Sequence, residues 1–220
     1  PSVWFPAQFM NEKQPQLLLT GLFYGVGIVF VCYHLFWLIQ RKSADHLYFV
    51  SYVLGTLGSF LVMDGIGYTY LWSNFPRFNV LISPIFVLLL ILGLVFYSIS
   101  ILELKQSRPS LVWKIRVLLS LATISLLLPL FVELGEIKTV IYLFQGLWVP
   151  FLLLLGMVAY RKQVTGTGYY ILGFFISIVF SMPILLSAFY EYPFPFSPIT
   201  SFWLASLGET FFFSLALWRK

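Results

Sequence analysis

Apolar residues in this chain come in long uninterrupted runs, with neither the alternation of a half-buried strand nor the narrow stripe of a helix on a soluble core. Seven runs stand out, at about 16–39, 47–70, 79–102, 111–132, 137–160, 168–189 and 199–218. Each approaches or exceeds the roughly 20 residues of helix that cross a hydrocarbon core about 30 Å thick. The second and sixth are the least sharply bounded. The intervening stretches, 40–46, 71–78, 103–110, 133–136, 161–167 and 190–198, are polar or proline-rich and too short for a soluble domain. The pattern predicts an all-α, polytopic membrane protein: a seven-transmembrane helix bundle over residues 16–220, preceded by a short juxtamembrane segment, 1–15.

Composition agrees, with 60% hydrophobic and 10% charged residues and a mean hydropathy of +0.93, far from the range of soluble domains. A pI near 9.3 raises the question of nucleic acid, but the basic residues fall in short clusters between apolar runs, where they set membrane orientation. No nucleic-acid partner is therefore expected. Arg41, Lys42, Lys105, Arg108, Lys114, Arg116, Arg161, Lys162, Arg219 and Lys220 share one side, against Lys13, Arg77 and Lys138 on the other. Ten against three places the N-terminus outside and the C-terminus in the cytoplasm. Trp4, Trp72 and Tyr192 at outer ends, with Trp113 and Trp218 at inner ends, fit interfacial aromatic belts. The single cysteine, Cys32, lies within an apolar run and excludes an intrachain disulfide. A start at Pro1 without an initiator Met, and a stop directly after an apolar run, are what a piece of a longer protein would show.

Polar residues inside the spans are the candidates for function, because hydrocarbon tolerates them only at a cost. Glu209 lies near the middle of the seventh run, and Ser201, Ala205 and Glu209 share a face at four-residue spacing. It is expected to face protein, neutral or hydrogen-bonded, as a ligand-contacting or switching carboxylate or as a structural one. Asp64 stands toward the outer end of the second run, before Gly65-Ile66-Gly67-Tyr68, and Asp64 and Tyr68 join the ligand or switch candidates. His34 in the first run is a ligand, a proton-responsive group or a polar packing residue, and His46 reads as part of a solvated boundary with Arg41 and Lys42. Two stripes of small residues, Gly21 with Gly25 and Ser51 with Gly55 and Ser59, suit close helix packing, within the bundle or across a homodimer. Pro84, Pro129, Pro150 and Pro183 fall inside four different runs, where each removes a backbone hydrogen bond.

Several chemistries lack their residues. A catalytic zinc needs about three protein ligands, and the two histidines are expected at opposite depths. Retinal would need a lysine within the bundle, and the seventh run has none before Lys220. No phosphate loop or nucleophile elbow is present. The expectation is a protein that is not an enzyme and carries no metal and no cofactor.

The motifs also carry a resemblance. The run Leu19-Thr20-Gly21-Leu22-Phe23-Tyr24-Gly25-Val26-Gly27-Ile28, then Tyr48-Phe49-Val50-Ser51-Tyr52, then Gly65-Ile66-Gly67-Tyr68-Thr69-Tyr70-Leu71-Trp72, and the close Leu207-Gly208-Glu209-Thr210 through Leu217 together resemble the membrane module of the bacterial seven-transmembrane receptors with diverse intracellular signalling modules. His34 departs from the pattern, in which Asn often follows the tyrosine that Tyr33 matches. The resemblance implies an upstream extracytoplasmic sensing domain, a downstream cytoplasmic signalling domain and a place in the bacterial cytoplasmic (inner) membrane. The function expected is a transmembrane relay from an extracytoplasmic ligand or sensor event to a cytoplasmic output. The alternative is a carrier for a small or lipid-like solute.

Overall fold

The computed structural model describes residues 6–127, 148–189 and 198–220. Among them no strand occurs. The helices are α1 (Pro6–Arg41), α2 (Ala44–Met63), α3 (Pro76–Ile101), the single turn α4 (Leu104–Ser107), α5 (Pro109–Leu127), α6 (Trp148–Arg161), α7 (Thr167–Phe189) and α8 (Pro198–Arg219). A π-helical turn, Gly67–Leu71, lies between α2 and α3. Among the described residues, four helical segments are long and apolar enough to cross a membrane: Leu17–Arg41, Ala44–Met63, Leu81–Ile101 and Pro109–Leu126. Trp148–Arg161 and Thr167–Met182 are shorter apolar helices. Large apolar side chains point outward along them, Leu18, Ile39 and Ile124 among these, as a lipid solvent permits and water does not.

Local chemistry explains where the expected boundaries moved. The 40–46 linker shrinks to Lys42 and Ser43, because Lys42 turns the chain with φ 49° and the Ser43 hydroxyl accepts the Asp45 N–H at 3.3 Å, starting α2 early. The second helix stops at Met63 and does not reach 70. Gly65 takes φ 70° directly after Asp64, a left-handed conformation that ends the helix, and the chain resumes as the π-helical turn. In the 103–110 stretch, Glu103 at φ 51° breaks α3 and the chain makes the one turn of α4. α1 begins ten residues before the expected 16, continuing past the apolar run into a polar segment. Of the prolines, Pro84 lies within α3, Pro150 in the first turn of α6 and Pro183 within α7. Pro129, the end of the fourth expected span, the start of the fifth and the proline-rich 190–197 lie outside the described residues.

Helix directions follow from side-chain pairs. Tyr24 of α1 meets Asp64, which caps the end of α2, while His34 meets His46 near its start, so these helices are antiparallel. Phe23 stacks on Trp203 and His34 bonds Ser214, so α8 runs in the same direction as α1. Glycines set the closest approaches. A Cβ on Gly55 would collide with the Leu90 backbone, and one on Gly93 with the Tyr52 backbone, which brings α2 and α3 nearly into backbone contact. A Cβ on Gly173 would lie 2.9 Å from the Phe213 ring, which seats α7 on α8. Phe213 is fully buried and stacks between Tyr97 and Tyr170, with ring centroids 5.2 Å from each. The Tyr97 hydroxyl donates to the Phe213 carbonyl at 2.6 Å, and that of Tyr170 to Ser98 Oγ at 2.8 Å. Each tyrosine thereby buries its ring without stranding its hydroxyl.

Candidate functional site

Three polar clusters lie along α8, one near each end and one between. In the middle, Glu209 is 8% exposed, with the hydroxyls of Tyr52 on α2 and Ser177 on α7 beside its carboxyl. Ser201, Ala205 and Glu209 are all buried, so the face marked by four-residue spacing does turn inward. The Tyr52 hydroxyl also meets Thr56 and Thr210. Among the described residues the only ion pair is elsewhere, between Asp45 and Lys220, so Glu209 has no cationic partner there.

At the end of the bundle where α2 stops, the Tyr24 hydroxyl donates to Asp64 Oδ2 at 3.0 Å. Trp203 of α8 stands beside this carboxyl without a well-formed hydrogen bond. Asp64 Oδ1 and Trp203 Nε1 are both buried and unpaired among the described residues. Phe23 stacks on the Trp203 ring with centroids 5.6 Å apart and meets the Phe60 ring edge-on at 5.1 Å. Tyr68, the neighbouring candidate, is exposed on the π-helical turn and contributes no side chain to this cluster.

At the opposite, basic end, the histidines meet: His34 Nδ1 lies 3.0 Å from His46 Nδ1, and His34 Nε2 lies 2.9 Å from Ser214 Oγ of α8. This corrects two expectations. The histidines share one depth, because a two-residue link folds α2 straight back along α1, and His46 is buried at 8% exposure, off the solvated face. They remain a pair, and no group of three metal-binding side chains occurs among the described residues. Next to them, Lys220 Nζ lies 2.9 Å from Asp45 Oδ2 and donates to the Ser100 carbonyl and hydroxyl at 3.0 Å each, while Ser100 Oγ donates to Asp45 Oδ1. The end of α8 is thus tied to α2 and α3.

A family model described as 7TM diverse intracellular signalling matches residues 16–220. The chain belongs to that family. No curated protein and no solved structure matches it. As a member of the 7TM signalling family it is a multi-pass membrane protein in contact with the bilayer, with a role in signalling. Two elements, α2 with its capping Asp64 and α8, take part in all three of this 7TM domain's clusters, and α8 is the one nearer the C-terminus.

The packing candidates separate. Gly55 touches α3, while Ser51 and Ser59 turn their hydroxyls back onto the carbonyls of Leu47 and Gly55. Gly21 and Gly25 are exposed, and a Cβ at either would meet nothing within 4 Å among the described residues. Asp45, Ser100, Ser214 and Lys220 gave no sequence signal. Asp45 two residues after a serine reads as a helix start, and Lys220 as a boundary charge.

Proposed function

We propose that this chain is the relay of a receptor, passing an extracytoplasmic event, at a ligand or an upstream sensing domain, to a cytoplasmic signalling domain that follows α8. In this reading α1 to α3 and α5 to α8 each cross the bacterial cytoplasmic membrane once, with the N-terminus outside. The common direction of α1 and α8 is what an odd number of crossings requires, and ten of the 13 basic residues then lie inside. The relay performs no chemistry of its own. The observation that carries the proposal is that α8 joins every buried polar cluster, so a changed partner at one level alters the packing of the helix that reaches the output.

The test uses the full-length receptor with Glu209→Gln and, separately, Lys220→Gln. Breaking a partly exposed ion pair is worth about 1 kcal/mol at most, which moves a two-state equilibrium by about fivefold. Basal output at matched membrane levels is expected to shift severalfold in either direction for both variants. Output equal to the parent's in both would defeat the relay, and solute accumulation in vesicles by the parent would favour the carrier.

A further inference from the structure

At the basic end a small, open cleft lies between α1 and α8, lined by Tyr33, His34, Trp37, Arg41, Ser214 and Trp218 among others, together with His46 of α2. The Arg41 guanidinium lies 4.4 Å over the Trp37 ring and makes no ion pair among the described residues. Stacking occupies its face and leaves the N–H edge of the fork free, the edge that fits two oxygens of a phosphate. His46 spends Nδ1 on His34, and its Nε2 has no hydrogen-bond partner among the described residues. Asp45, the nearby carboxylate, is already committed to Lys220 and Ser100, so it does not offset Arg41 or the adjacent exposed Lys42. Trp218 is 72% exposed and Tyr33 45%, flanking the opening with the amphipathic rings that settle at headgroup depth.

We propose that this cleft binds the headgroup phosphate of an anionic phospholipid, with Arg41 as the principal contact and His46 Nε2 as a second. The surplus of positive charge selects an anionic lipid over a zwitterionic one, whose own cation would be repelled. A lipid seated there bridges α1 to α8.

The experiment follows the melting temperature of the purified chain in neutral detergent against added phosphatidylglycerol, phosphatidylcholine or inorganic phosphate. In the parent, phosphatidylglycerol is expected to raise it saturably and the other two are not. Arg41→Gln should weaken the apparent affinity about tenfold, the loss of one charge-assisted pair. Arg41→Lys should fall between, and Lys105→Gln, an exposed cation on α4, should stay within about twofold. Arg41 is exposed, so its variants are expected to melt like the parent without lipid. Equal weakening by Arg41→Gln and Lys105→Gln would reduce the effect to general surface charge. An unchanged affinity in Arg41→Gln, or the same response to inorganic phosphate, would overturn the site.

Discussion

Where α8 passes Asp64, a carboxylate oxygen and an indole N–H are buried together and neither finds a partner. About three helical turns further on, His46, His34 and Ser214 form an unbroken chain, and beyond it Asp45, Ser100 and Lys220 close a small network. The two ends therefore hold the same helix by different means: aromatic stacking of Phe23 on Trp203 at one, directed polar contacts at the other. An unmet buried polar group costs about 1 to 3 kcal/mol, whereas a completed bond gains about 1. The contacts that tie α8 at the basic end are thus complete, and the buried groups at the Asp64 end have most to gain from a changed arrangement or an arriving hydroxyl. A helix fixed at one end and incompletely satisfied at the other is suited to moving at the second.

The sharpest break in this contrast is His34→Ala, which strands His46 and Ser214 and opens a hole against Phe49, whose ring lies 4.1 Å from His34. A loss of about 3 kcal/mol is expected in reversible denaturation of the purified chain, and a loss under about 1 would mean that the basic end is no better tied than the other. Glu209, between the two ends, should respond to chemistry more than to charge. Glu209→Ala removes the carboxyl beside the Tyr52 and Ser177 hydroxyls and should cost about 2 kcal/mol, while Glu209→Gln, which keeps an acceptor, should cost less than about 1. Equal costs would show that the hydroxyls do not depend on it. Smallest is Trp203→Phe, which discards the orphaned N–H and keeps the ring over Phe23. Its melting temperature is expected to match the parent's or rise by the equivalent of about 0.5 kcal/mol, and a clear fall would reveal a partner for the indole at the Asp64 end.

The inward face of Glu209 was legible because depth and four-residue spacing leave a carboxylate no other comfortable place. Tyr68 was not separable from Asp64 on the same grounds, since the break at Gly65 redirects the chain between them. Gly25 and Gly55 look alike as small residues in an apolar run, yet only Gly55 meets a neighbouring backbone.

By itself, then, the sequence determined the helical class, the membrane setting, the signalling family and the inward turn of α8, all consequences of local composition and of the high cost of exposing polar backbone and carboxylates to lipid. Tertiary structure alone decided that His34 meets His46, that Lys220 reaches Asp45 and that Asp64 and Trp203 stay unpaired. Those pairings join residues up to 175 positions apart, and they depend on which helices become neighbours and on the angstrom at which two backbones stop, distances that Gly55, Gly93 and Gly173 set only once their partners are in place.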